Sequence, residues 1–243
     1  MDNSFNRIKK KFKSISPGNY WGDDYDVRYY LISKMNQIKN CSIVDIGGGI
    51  GVVSSEMDNT NEKYNLDLSI NDLKLSNATF SKSINNLCGE MTHLPIKDNS
   101  VDYVISCHLI ELAKYLDIKN NSLIKGEINT YPTLEKILKE IYRILKPHGI
   151  AYITTPNNAY YKSKKLDYYE LKNSLKNYFN DFEIYFYNVF PHTRRYRKLS
   201  LSNVIPKILS KIKDRKRLLN SLLKKDQGGA VHSVSFFIEA KKS

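Results

Sequence analysis

Apolar residues recur at helical spacing from Asp26 to Ile38, at Val27, Tyr30, Leu31, Met35 and Ile38, which predicts an amphipathic helix over DVRYYLISKMNQI. The apolar run CSIVDI that follows ends in glycines and reads as a buried strand, and IGVVSSEMD after it keeps a brief helical period. EKYNLDL predicts a second strand ending at Asp67, and SINDLKLSNATF a helix with Ser69 as its N-cap. INNLC is a weak third strand, and VDYVISC, introduced by the turn-rich PIKDNS, is a strong fourth. The helical period is clearest in YPTLEKILKEIYRILKPHG, at Leu134, Ile137, Leu138, Ile141, Ile144 and Leu145, with Thr133 as N-cap and Pro147 and Gly149 marking the exit. IAYITT is a fifth buried strand. Past Thr155 a polar helix, LDYYELKNSLKNYF, precedes two further strands, FEIYFYNVF and VHSVSFFIEAKK. Strands alternating with helices imply an α/β fold, a parallel sheet covered on both faces, with ligands bound beyond the carboxyl ends of its strands.

Length turns this pattern into a domain organisation. A chain of 243 residues with 41% hydrophobic and 26% charged residues fills one core. The expected division is an N-terminal arm and cap helix over 1–40 and a single domain over 41–243, carrying a basic helical insertion at about 192–228. The basic N-terminus has no apolar run behind it, and no segment is long enough to cross a bilayer, so the expectation is a protein neither secreted nor membrane-spanning. Cys41, Cys88 and Cys107 show none of the paired spacings of a zinc or redox motif. They are expected to be reduced core thiols of a cytoplasmic protein, and no metal is expected.

The net charge of +13 is unevenly placed. Between Arg194 and Lys225 stand twelve Lys and Arg against one Asp, and from Val204 to Leu223 the apolar residues Ile205, Ile208, Leu209, Ile212, Leu219, Leu222 and Leu223 fall largely along one face. A basic amphipathic helix suits an anionic membrane surface, a phosphate-bearing substrate or nucleic acid. Nucleic acid is disfavoured, because no RNA-binding module stands elsewhere in the chain. The expectation is an acceptor that is anionic or lipid-linked, with the protein peripheral to a membrane. A solvated face is the plain alternative.

Four glycines in the five residues Gly47 to Gly51, directly after a buried strand, let the backbone approach a nucleotide closely. The dinucleotide fingerprint G-x-G-x-x-G fails, because Val52 stands where the third glycine belongs. The pattern present is D-x-G-x-G-x-G, from Asp45 through Gly47, Gly49 and Gly51. Asp67 at the end of the second strand offers two acceptor oxygens to a ribose diol, and by itself fits either an NAD ribose or an adenosyl one.

From about Ser42 to Asn157 the sequence resembles the class I S-adenosylmethionine-dependent methyltransferases, nearest to the quinone-biosynthesis and small-molecule branch. VDIGGGIG is similar to the first motif of that family, YNLDLS to the second strand and its acidic end, CGEMTHLPIKDNSVDYVIS to G-D-A-x-x-L-P-F-x-D-x-S-F-D, and RILKPHG to R-x-L-K-P-G-G with His148 in place of a glycine. The resemblance implies a doubly wound, Rossmann-like three-layer sandwich whose mostly parallel seven-stranded sheet has an antiparallel last strand. It also implies S-adenosylmethionine as cofactor. Asp45, Gly47, Gly48, Gly49 and Gly51 would face its methionine part, Asp67 and Leu68 its ribose, Glu90 and Met91 its adenine, and Cys107 would end the fourth strand beside it.

Methyl transfer from a sulfonium is an in-line displacement whose barrier falls mainly through positioning, worth up to ~7–11 kcal/mol. A base is needed only when the nucleophile arrives protonated. The family shares no fixed catalytic residue, so His108 and Glu111, just after the fourth strand, are the candidates; the histidine common in relatives is replaced here by Leu112. His192 and His232 are weaker candidates, His93 belongs to the adenine-side turn, and Asp102 is expected to be a turn or strand-edge residue. Tyr20, Trp21 or Arg28 could reach the methionine carboxylate, with packing of the aromatics onto the sheet as the preferred alternative. The expected function is methyl transfer to a small-molecule or lipid- or sugar-linked acceptor. An RNA or protein methyltransferase is the alternative, and an NAD(P)-dependent oxidoreductase is disfavoured by Val52.

Overall fold

A computed structural model describes residues 25–80, 83–125, 130–156, 166–187, 224–225 and 235–243. Most of the basic insertion, Tyr20, Trp21, His192 and His232 lie outside them. In chain order the elements are α1 (Tyr25–Met35), β1 (Ser42–Ile46), α2 (Val52–Ser55), β2 (Glu62–Asp67), α3 (Ile70–Phe80), β3 (Asn85–Cys88) and β4 (Val101–Cys107). There follow α4 (Glu111–Lys119), α5 (Pro132–Ile144), β5 (Leu145–Pro156), α6 (Tyr168–Lys176), β6 (Asp181–Tyr187), β7 (Lys224–Lys225) and β8 (Ser235–Lys241). The sheet runs β3-β2-β1-β4-β5-β8-β6-β7. Strands β1 to β5 pair in parallel, and β8 lies antiparallel between β5 and β6. This is the mostly parallel seven-stranded sheet with an antiparallel last strand, extended at its edge by the two-residue β7.

Alternation along the strands divides the core in two. Ile43, Ile105, Tyr152 and Phe237 face one side, packed under Leu31, Ile32 and Met35 of α1 and Val52 and Val53 of α2. Val44, Val104, Ala151, Ile153 and Ile238 face the other side, under Ala113 of α4, Leu134 to Ile144 of α5 and Leu171 and Leu175 of α6. Successive strand side chains point to opposite faces, so a sheet buried on both sides gives continuous apolar runs.

The ends of α5 depart from expectation. Tyr131, not Thr133, occupies its N-cap position, and the buried Asp117 carboxylate accepts from the Thr133 backbone N–H at 2.9 Å and its hydroxyl at 2.6 Å. An acceptor from the preceding helix therefore satisfies a donor that the local sequence leaves open. At the other end the helix stops at Ile144, before Pro147, and the Lys242 ammonium takes the Tyr142 and Leu145 carbonyls at 2.7 and 2.9 Å. His148 adopts φ +66°, the left-handed backbone that explains a glycine at this place in similar sequences. Ser69 does cap α3, accepting from the Asp72 N–H at 3.3 Å. The first helix ends three residues earlier than its apolar period, at Met35.

The cysteines are free, but they are not core thiols: Cys41 and Cys107 are half-buried and Cys88 is exposed. Cys88 and Cys107 end their strands and Cys41 directly precedes β1, where the helices cover the sheet less fully. Asp102, at the start of β4, accepts from the Ser42 N–H at 2.9 Å and pairs with Lys146. It stands at the end of a central strand, the strand-edge position expected of it.

Candidate active site

The carboxyl ends of β1, β2, β3 and β4 lie side by side, because the register pairs Ile46 with Leu66, Leu66 with Leu87 and Asp45 with Ile105. At or immediately beyond these ends stand Gly47, Asp67, Gly89 and His108. Gly47, Gly49 and Gly51 all have φ between +56° and +73°. A Cβ on Gly49 would meet nothing within 4 Å, so this turn has open space beside a left-handed residue. Under Gly48 the reverse holds: a Cβ there would stand 2.1 Å from Asn65 Oδ1 and 2.7 Å from Asp45 Oδ2, so only glycine lets the turn sit on these two side chains.

Asp67 is fixed by the turn it faces. Its Oδ2 accepts from the Gly49 N–H and its Oδ1 from the Ser69 N–H, both at 2.8 Å. Each oxygen keeps a second lone pair for a diol. Beside it Leu68 is 70% exposed and Ile70 is 57% exposed, an apolar shelf suited to a flat ring. Asn65, which sequence reasoning missed, donates from Nδ2 to the Gly49 carbonyl at 2.8 Å and to Asn86 Oδ1 at 2.8 Å. Its only signal in the sequence is a polar residue inside a buried strand.

The turn expected to meet the adenine carries Glu90, exposed and accepting from the Thr92 hydroxyl, and the half-buried Met91, which packs against the core. His93 is exposed here, and its N–H returns to the Glu90 carbonyl at 3.0 Å. Arg143 braces this turn: Nη2 donates to the Leu94 carbonyl at 3.0 Å, Nη1 to the Ile96 carbonyl at 2.7 Å and to Asp98, and Nε to Glu140 at 2.8 Å. Glu140 in turn accepts from the Leu94 N–H at 2.7 Å. The arginine of RILKPHG is thus a strut for the loop holding Glu90 and Met91. Its hydrogen bond keeps the Glu140 carboxyl below its ordinary range, so this stabilisation is present at neutral pH and lost as the pH falls through the lowered value. Arg143→Ala should lower stability by about 1.5–3 kcal/mol, the usual worth of bonds to a charged group. It should also weaken adenosyl-ligand binding, measured by calorimetry beside a urea melt. Arg143→Lys, a point charge without the fork, should recover only part of either.

At the end of β4, His108 has φ +55°, unusual for a residue with a side chain, and its N–H donates to the Thr154 carbonyl at 2.9 Å. Its Nδ1 stands 3.7 Å from Glu111 Oε1, and Thr155 Oγ1 donates to Glu111 Oε2 at 3.3 Å. Cys107 Sγ accepts from Thr154 Oγ1 at 3.6 Å. Arg28, on α1, is buried and acts electrostatically on Asp45. Among the described residues no group of His, Cys, Asp and Glu could hold a metal ion, and no helix is long and apolar enough to cross a membrane.

Residues 44–153, from the first strand through the fifth, match the family model for a methyltransferase domain. Residues 44–153 thus carry a methyltransferase domain. The cofactor of such domains is S-adenosylmethionine, and the match begins one residue before the Asp45–Gly51 turn. Similar curated proteins include an uncharacterized protein of Methanocaldococcus jannaschii, 29% identical over 64% of this chain and 53% of its own length. A sterol 4-C-methyltransferase of Caenorhabditis elegans is 26% identical over 57% of this chain and 39% of its own. The matches thus span about half or less of these relatives. Among solved structures, a TehB-like SAM-dependent methyltransferase from Corynebacterium glutamicum covers 100% of both chains at a TM-score of 0.58 and 12% identity, a likeness of fold. The glycine turn, the Asp67 acceptor pair and the exposed Leu68 fit the adenosyl group this methyltransferase domain calls for.

Proposed function

We propose that this chain transfers the methyl group of S-adenosylmethionine to a small-molecule or lipid- or sugar-linked acceptor of anionic character. The single observation that carries the donor is Asp67, held by the N–H groups of Gly49 and Ser69 at the mouth of the open glycine turn. In this reading Asp67 and Leu68 hold the ribose, and Glu90 and Met91 border the adenine. Gly47, Gly48, Gly49 and Gly51 form the backbone seat above Asp45, and Cys107 borders the reactive end. The bound cofactor supplies an activated methyl on a good leaving group; the chain supplies orientation and exclusion of water.

His108 is the proposed base for an acceptor that arrives as O–H or N–H, oriented by Glu111, which Thr155 holds in turn. A lipid acceptor is supported by the sterol methyltransferase among the relatives. The basic amphipathic pattern between Arg194 and Lys225 supports contact with an anionic membrane surface.

Calorimetry with S-adenosylmethionine, its demethylated product and NAD tests the donor, with binding of the first two expected and binding of NAD alone overturning it. Labelled methyl transfer into fractionated cell extract then finds the acceptor class, lipid-soluble or anionic fractions being expected to carry the label. With that acceptor, His108→Gln should lower kcat about 10²–10⁴-fold, the usual worth of a positioned base, with little change in cofactor affinity. An unchanged kcat would remove His108 from the chemistry.

A further inference from the structure

Two buried acceptors remain without a hydrogen-bond donor directly below the glycine turn: Asp45 Oδ1 and Asn65 Oδ1. Asp45 and Asn65 are cross-strand partners in the parallel register of β1 and β2, so their side chains leave the same face of the sheet. Both are almost wholly buried. Their other polar atoms are committed. Asp45 Oδ2 accepts from the Ser54 hydroxyl at 2.8 Å, and Asn65 Nδ2 holds the Gly49 carbonyl and Asn86 Oδ1. Two unsatisfied acceptors on buried, cross-strand neighbours are a costly arrangement. One proton on Asp45 would turn it into a donor and could satisfy both acceptors with a single O–H···O bond.

We infer that Asp45 carries a proton shared with Asn65 while the turn is empty, and that a cationic cofactor seated on the turn displaces it, making Asp45 a residue that distinguishes the sulfonium donor from its neutral-sulfur product. The inference rests on the reading of the turn as the seat of S-adenosylmethionine. Burial pushes the Asp45 carboxyl up to about 7, the nearby Asp67 carboxylate adds to the rise, and the Ser54 hydrogen bond and the Arg28 guanidinium oppose it. The charged groups acting on Asp45 are thus Arg28 from α1 and Asp67 from the end of β2, with the Ser54 hydroxyl from α2 and the Asn65 amide from β2 as its polar neighbours. Donor and product differ by the one positive charge on sulfur. That charge favours ionised Asp45, whereas the product, lacking it, leaves the proton in place. The balance is one proton released to solvent per Asp45 ionised.

Linkage fixes the signs. In the empty protein this group's contribution to stability is full below the ordinary carboxyl value of 3.8 and is lost as the pH rises to about 7. Asp45→Asn removes that loss and should raise Tm above pH 7. Donor binding requires the ionised form, so its affinity rises with pH, by up to about tenfold between pH 6 and pH 8 for a group titrating near 7.

The test is calorimetry of the full chain with S-adenosylmethionine and with its demethylated product, from pH 6 to pH 8, in buffers of different ionisation enthalpy. Expected for the donor are proton release near pH 7 and the tenfold gain, and for the product a shift of less than about threefold. Asp45→Asn should bind both ligands without either effect. Ser54→Ala, which keeps the carboxyl and removes an opposing hydrogen bond, should move the midpoint to higher pH. Infrared spectra of the empty protein at pH 6 should contain a protonated-carboxyl band that Asp45→Asn removes. Lack of that band, pH-independent donor binding, or proton release that persists in Asp45→Asn overturns the inference and leaves the cofactor assignment standing. Failure of both ligands to bind at every pH overturns the cofactor assignment, and with it the role of Asp45.

Discussion

Asp67→Ala is expected to lower the affinity for S-adenosylmethionine at least about a hundredfold, or some 2.7 kcal/mol. Two losses combine. The ribose acceptors disappear, each hydrogen bond to a charged group being worth about 1.5–3 kcal/mol. The turn also loses its internal brace, because the same carboxylate holds the N–H groups of Gly49 and Ser69. Asp67→Asn keeps one oxygen and loses the charge, so its affinity should fall between the two. Calorimetry measures this directly. Circular dichroism should show the fold intact, since Asp67 is at a strand end with its side chain only half-buried. Unchanged affinity in Asp67→Ala would mean that the ribose lies elsewhere.

The second large effect lies beneath the site. Lys114 of α4 is buried and donates to both carboxylate oxygens of Glu170 at 2.9 and 2.7 Å, and the Tyr131 hydroxyl donates to the same carboxylate. Glu170 also closes the capping box of α6, accepting from the Asp167 N–H at 3.0 Å while Asp167 Oδ1 accepts from the Glu170 N–H at 2.9 Å. One carboxylate therefore joins α4, the start of α5 and the start of α6. Lys114→Met leaves it buried without its cation and should cost about 3–5 kcal/mol, the range for breaking one side of a buried pair. For a chain of this size that is a fall in Tm on the order of 10 °C. The double variant Lys114→Met/Glu170→Gln removes the stranded charge and keeps an acceptor for the N-cap, so it should recover at least half of the loss. Because α4 begins at Glu111, the single variant should also loosen the His108–Glu111 pair; a thermal melt read beside kcat separates the two effects.

These two sites differ in how they are written into the chain. Asp67 is legible: an acidic residue ending an apolar strand, sixteen residues after a glycine turn, carries a local pattern. The Lys114–Glu170 pair is not, because its partners stand 56 residues apart and each sits in a helix where a charged residue is ordinary. The same holds for Asp117 at the start of α5 and Lys242 at its end. Thr133 was the local candidate for the cap, and it is itself held by Asp117. The cysteines were misplaced for a related reason. An apolar neighbourhood in sequence marks a strand, but where along the strand the helices stop covering it is decided by packing.

The sequence by itself determined the alternation of strands and helices, the two-sided burial of the sheet, the position of the glycine turn and the acidic end of β2. These depend on periods of two and 3.6 residues and on backbone angles that only glycine adopts with ease. The tertiary structure alone decided the place of β8 between β5 and β6 and the long-range caps of α5. It also decided the buried Lys114–Glu170 junction and the stacking of Gly48 on Asp45 and Asn65. Each of those joins residues distant in the chain, and which distant groups meet depends on strand order and register, which no local period encodes.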